Sequence, residues 1–156
     1  MINEIYFGAG CFWGVQDAFK KLNVEKTEVG YTNGAEPGVT YKQVCSGNTG
    51  HNEVVRVVYD DDKVSLDSLL NKFFEIHDPT RADGQGPDVG DQYRSGIYFV
   101  HQEQELEALF KIGQLNKSMR KNIVTEVLPV ANYTPAEDYH QDYNEKRGGF
   151  CGIRFF

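Results

Sequence analysis

Apolar residues along this chain fall into short runs with strand-like or helix-like spacing, separated by two long polar stretches. Ile2 to Phe7 reads as a strand, and Cys11 to about Leu22 as a helix with apolar positions at Val15, Ala18, Phe19 and Leu22. Glu25 to Tyr31 is a second strand, closing at the turn signal Asn33-Gly34. Valine-rich Glu53 to Tyr59 is a third. A helix follows over Leu66 to His77, with Ser65 as N-cap and Asp67 in its first turn. Ile97 to Val100 is a fourth strand, and Gln102 to about Arg120 a helix with apolar residues at Leu106, Leu109, Phe110 and Ile112. Ile123 to Leu128 is a fifth strand, stopped by Pro129. A short helix from Ala136 to about Lys146 precedes Gly148-Gly149 and the tail Phe150 to Phe156. The core order β-α-β-β-α-β predicts an α+β fold, a ferredoxin-like split βαβ sandwich, with the last strand and helix as a C-terminal extension.

Residues 32–52 and 78–95 lie outside this pattern. They hold seven of the 16 glycines, together with tyrosine, carboxylate and histidine. Long loops of this kind in a compact domain are usually functional, so a site built from loops over one sheet edge is expected. The chain has 156 residues, 40% of them hydrophobic, which suits one catalytic domain over 1–156, with 147–156 as a flexible tail. Sixteen basic against 23 acidic residues give a net charge of −7, which argues against nucleic-acid or anionic-membrane partners. No apolar run reaches membrane-spanning length, and the N-terminus lacks the order of a secretion signal. Three cysteines make no structural disulfide framework, so a cytoplasmic location with reduced thiols is expected.

The candidate chemistry starts at Gly10-Cys11-Phe12-Trp13-Gly14. Cys11 lies where a strand turns into a helix, and backbone N–H groups and the helix dipole favour a thiolate there. The only tryptophan stands two residues further on, so nucleophile and aromatic wall arrive together. His77, His101 and His140 have no ligand spacing with one another or with the cysteines, and no metal is expected.

Four motifs in order carry a resemblance. They are Gly10-Cys11-Phe12-Trp13-Gly14, Tyr41-Lys42-Gln43-Val44-Cys45-Ser46-Gly47, Gly50-His51-Asn52-Glu53-Val54-Val55 and Asp88-Val89-Gly90-Asp91-Gln92-Tyr93-Arg94-Ser95. With Tyr139-His140-Gln141-Asp142-Tyr143 and Gly149-Phe150-Cys151-Gly152, the chain resembles class A peptide-methionine sulfoxide reductases from about residue 4 to residue 152. The resemblance implies reduction of the S epimer of methionine sulfoxide, protein-bound or free. Sulfoxide oxygen leaves only when protonated, so such a site needs a soft nucleophile, an acid and an apolar methyl pocket.

The resemblance assigns these parts. Cys11 is the nucleophile, and Glu53 is the acid, with a pKa expected above the ~4.3 of a free glutamate. The hydroxyls of Tyr41 and Tyr93 bond the sulfoxide oxygen. Phe12 and Trp13 wall the methyl pocket, Asp88 orders the polar end, and Tyr139 leans towards the site. The sulfenic acid left on Cys11 condenses with a second thiol, and Cys151 is the candidate. Thioredoxin or another dithiol then reopens the disulfide, with no further cofactor. Cys45 is expected to be a bystander, His51 to hold loop structure, and the molecule to be a monomer. Rival readings for a reactive Cys11 are a thiol peroxidase, a cysteine hydrolase and a methionine-peptide binding module.

Overall fold

A computed structural model describes residues 1–47 and 49–143. Its elements are β1 (Ile2–Gly8), α1 (Phe12–Lys20), β2 (Lys26–Thr32), α2 (Tyr41–Cys45), β3 (Asn52–Asp60) and α3 (Leu66–Glu75). After them come β4 (Gly84–Gln85), β5 (Asp88–Val89), β6 (Gly96–Phe99), α4 (Gln102–Asn116), β7 (Glu126–Pro129) and β8 (Thr134–Pro135). Two single 3-10 turns lie at Asp91–Tyr93 and Asp138–His140.

The main sheet has the order β7-β6-β1-β3-β2-β8. Its inner four strands are all antiparallel, β6-β1-β3-β2. Each βαβ unit is therefore split by a strand of the other, which is the ferredoxin-like arrangement expected from the element order. β7 adds parallel to β6, and β8 adds antiparallel to β2. Alternation along the strands sends Ile5, Phe7, Val29, Tyr31, Val55, Val57 and Ile97 to one face, where they meet Phe12, Val15 and Phe19 of α1 and Leu69, Leu70 and Phe73 of α3. Phe7 stacks on both Phe19 and Phe73. The opposite face carries Tyr6, Val54 and Tyr98, covered in part by Val130 and Tyr133.

Several sequence expectations are corrected. α2, the β4–β5 hairpin and β8 were not foreseen, being two to five residues long and devoid of a clear period. The last main strand begins at Glu126 rather than Ile123 and includes Pro129, which an edge strand tolerates. The helix expected from Ala136 is, within the described residues, one 3-10 turn. Here tertiary bonds to the edge of β2 win: the Ala136 N–H donates to the Val29 carbonyl, and the Gln141 amide brackets the Val29 N–H and C=O at 2.9 Å each.

α4 ends at Asn116 rather than near Arg120, and it turns an unexpected face inward. Gln104 and Ala108 are buried, while Leu106, Leu109 and Phe110 are exposed. Gln104 fixes this rotation. Its amide donates to the Glu4 carbonyl and the Tyr59 hydroxyl, and its oxygen accepts the Val100 and His101 N–H groups.

Candidate active site

The site forms where β1 ends and β3 begins, on the helix-bearing face of the sheet. Ala9 and Gly10 turn the chain from β1 into α1. Gly10 has φ 99°, and a Cβ there would lie 2.9 Å from the Gln85 side chain, so only glycine fits the turn. Cys11 is the residue that caps α1, and it is 8% exposed. Its thiol sits at the positive end of a nine-residue helix, the setting that favours a thiolate.

Glu53 reaches the same point from β3. It shares the face of Val55 and Val57, and its Oε1 accepts the Phe12 N–H at 3.4 Å. Phe12 follows Cys11 directly, so thiol and carboxyl meet at one helix N-terminus although 42 residues (53 − 11) separate them. Glu53 is 1% exposed. Its neighbour Asn52 fixes the start of β3 by donating to the Arg94 carbonyl and the Tyr98 hydroxyl, each at 2.9 Å.

The two long loops each deliver a tyrosine. Thr40 and Gln43 form a capping box that starts α2 and sets Tyr41 in its first position. Burial raises the Tyr41 pKa, and the neighbouring Glu53 carboxyl and the Cys45 thiol, one turn on, raise it further. Tyr93 stands in the 3-10 turn after the β4–β5 hairpin. Burial raises its pKa too, with added contributions from Glu53, Cys45, Asp88 and Cys11. Both hydroxyls therefore keep their protons at neutral pH and remain donors. The same interactions place Cys45 near both tyrosines.

Phe12, Trp13, Tyr41, Tyr139, His140 and Tyr143 form one aromatic cluster. Phe12 is fully buried and packs between Tyr31 and His140. Trp13 is half-buried; its Nε1–H donates to His140 Nδ1 at 2.9 Å, and its ring stacks on Tyr143 at 3.8 Å. That bond requires an unprotonated Nδ1. Burial agrees, holding the His140 pKa below its ordinary value. Tyr139 is 59% exposed at the rim.

Sequence reasoning missed Glu137. Its Oε1 accepts the Tyr31 hydroxyl at 2.9 Å, and its Oε2 accepts the Tyr41 N–H at 3.1 Å and the Tyr139 hydroxyl at 3.4 Å. Burial raises its pKa, but the Tyr41 and Tyr31 bonds and His140 outweigh that and leave it below the usual carboxylate value. Only its place just before Tyr139-His140 could have drawn attention to it. His51 is a loop staple: its Nδ1 accepts the Gly34 N–H at 3.3 Å, so its Nε2–H donates to the Glu36 carbonyl.

Cys151 lies outside the described residues. Among the described residues, the one carboxylate group compact enough for an ion is Asp60, Asp61 and Asp62, at the far end of β3 from Glu53 and bonded to the Met1 amino group. No helix among them is long and apolar enough to cross a membrane.

A family model described as peptide methionine sulfoxide reductase matches residues 3–155. The peptide methionine sulfoxide reductase MsrA of Mycoplasma pneumoniae is 47% identical over 156 residues, 99% of either chain. A peptide methionine sulfoxide reductase of Lactuca sativa is 53% identical over 145 residues, 92% of this chain. The chain spans 56% of that protein's length, and 57% of its counterparts from Arabidopsis thaliana and Brassica napus. Mxr1 of Saccharomyces cerevisiae in reduced form superposes with a TM-score of 0.93 at 34% identity, covering 99% of this chain and 91% of that one. The fold is also that of Mxr1 in complex with Trx2, with a TM-score of 0.66 at 23% identity. The cysteine at the start of α1, the carboxyl beneath it and a match over nearly the whole length agree: the chain belongs to the peptide methionine sulfoxide reductase family.

Proposed function

We propose that this protein reduces the S epimer of methionine sulfoxide, protein-bound or free, to methionine. The observation that carries the reading is the meeting of Cys11 and Glu53 at the α1 N-terminus, beside Tyr41, Tyr93 and the Trp13 cluster. The Cys11 thiolate attacks the sulfoxide sulfur. Glu53, a carboxyl removed from water and therefore cheapest to hold with its proton, protonates the oxygen. Tyr41 and Tyr93 donate hydrogen bonds to that oxygen as it gains charge. Trp13 and Phe12 hold the S-methyl group, and Asp88 and Tyr139 flank the polar end. Oxygen ends on Cys11 as a sulfenic acid, and the substrate leaves two electrons richer as a thioether.

The tail carries the second half. The Cys151 thiol attacks the sulfenic sulfur, water leaves, and a Cys11–Cys151 disulfide remains. Thioredoxin, or another dithiol protein of low potential, reduces it. The Mxr1 complex with Trx2 supports that choice of partner. Such a cycle belongs in a reducing compartment such as the cytoplasm, in one catalytic domain that ends in a thiol-bearing tail.

The test is turnover of separated epimers with dithiothreitol or thioredoxin, followed by mass spectrometry after one turnover without reductant. Methionine from the S epimer and a Cys11–Cys151 bridge are expected. No methionine from correctly folded protein would overturn the reading, and turnover of peroxide in its place would favour a thiol peroxidase. An acyl-enzyme would favour a cysteine hydrolase. A Cys11–Cys45 bridge would move the resolving step to α2.

A further inference from the structure

Residues 140–142 are tied to helix α1 at three points. Trp13, Gln16 and Lys20 lie at i, i+3 and i+7, on one face of that helix. The Trp13 N–H donates to His140 Nδ1 at 2.9 Å, Gln16 Oε1 accepts the Asp142 N–H at 2.7 Å, and Lys20 donates to the Asp142 carboxylate at 2.7 Å. From the other side, the Gln141 amide grips β2 at Val29. His140 is thus held between helix and sheet, 1% exposed, with its ring centroid 5.3 Å from that of Phe12 and 4.3 Å from that of Tyr41. Because Nδ1 accepts, Nε2 carries the proton, and this buried Nε2–H has no partner among the described residues. A phenylalanine would fill the same space without burying an unbonded donor, which costs stability. Packing therefore does not account for a histidine here; the bond to Trp13 does.

We infer that His140 is a positioning residue for the methyl pocket: its Nδ1 holds the Trp13 indole beside Phe12 and makes the pocket selective for S-methyl over larger S-alkyl groups. This role rests on the sulfoxide reduction proposed above. Trp13 is only half-buried, so packing alone leaves the torsions of its side chain loosely set. One directional bond to a rigid acceptor fixes a planar ring where packing does not. A wall held in place disfavours one extra methylene by about tenfold or more, and a wall that can swing aside admits it. Burial lowers the His140 pKa, so the ring stays neutral at pH 7 and the acceptor persists. His140 acts through Trp13, and the chemistry stays with Cys11 and Glu53.

Steady-state kinetics of the full chain with the S epimers of methionine sulfoxide and of its S-ethyl homologue test this. The wild type should prefer the methyl compound by about tenfold or more in kcat/KM. His140→Phe should raise KM for methionine sulfoxide about tenfold with kcat within about threefold, and should lose most of the preference. His140→Asn, whose Oδ1 stands where Nδ1 does, should keep most of it. His140→Gln carries its amide at the Nε2 end and should behave as His140→Phe, which covers a phenylalanine variant that does not fold. The one tryptophan gives one indole N–H resonance, which should move upfield in the Phe and Gln variants and stay in place in the Asn variant. In a Trp13→Phe background, which has no indole N–H, His140→Phe should change the preference no further. A wild type without a methyl preference would overturn the inference. So would a preference and a resonance that survive both Phe and Gln, or an equal effect of His140→Phe in the Trp13→Phe background. A folded wild type that reduces neither sulfoxide would instead overturn the proposed reaction.

Discussion

Cys11 and Glu53 are useful only together, and each depends on the backbone under it. Cys11→Ser should lower kcat by far more than tenfold, a loss beyond ~1.4 kcal/mol, with the far-ultraviolet spectrum unchanged. Glu53→Gln keeps the shape and burial of the side chain but carries no proton to give. Steady-state kinetics should show kcat reduced about 10²–10⁴-fold, while alkylation of Cys11 proceeds near the wild-type rate. Equal loss of both would mean that Glu53 serves the thiol and not the oxygen. Cys11 could be read from its place where a strand turns into a helix, and Glu53 only through the resemblance that its motif carries. Glu137 and the approach of Tyr41 to Cys45 were not legible. Glu137 meets Tyr41 across 96 residues, through a closure that only the folded sheet creates.

Short elements set the precision of the site, and they are the part the sequence conveys least. The long helices and inner strands announce themselves by period, and their order alone led to the split βαβ sheet. α2 spans five residues and starts by a local capping box, yet its place is fixed from outside by Glu137. Glu137→Ala should therefore free the start of α2 and strand the Tyr31 hydroxyl. We expect kcat to fall about tenfold, because Tyr41 loses its alignment, with a stability loss of ~1–3 kcal/mol in urea titration. Glu137→Gln keeps a single acceptor oxygen, enough for the Tyr41 N–H but not for the Tyr31 hydroxyl as well, and should recover only part of the stability. α4 teaches a related lesson. Its period is helical throughout, but Gln104 decides which face turns inward, through four hydrogen bonds that no hydrophobic count contains.

For the molecule as a whole, His77 links stability to pH. It is buried under α3, where its Nδ1–H donates to the Phe73 carbonyl at 2.6 Å and its Nε2 accepts the Ser95 hydroxyl at 2.7 Å. Burial lowers its pKa from 6.5 to about 4. Above pH 6.5 both folded and unfolded chains hold it neutral, and the full stability is present. As pH falls towards 4, the unfolded chain takes up a proton that the folded one refuses, and stability drops by up to about 3 kcal/mol. Urea unfolding at pH 7 and at pH 5 should differ by about 2 kcal/mol, and His77→Gln should shrink that difference. An unchanged difference would point to other groups. The contact between Trp13 and Tyr143 has a practical consequence of another kind. The chain has one tryptophan, and its ring lies flat against the last residue described, with its N–H on an imidazole. The molecule thus carries a built-in optical gauge beside Cys11. If the proposed Cys11–Cys151 disulfide forms, emission from Trp13 should change with it and return when that bond is reduced, so a stopped-flow fluorimeter could time each half of the cycle without a label.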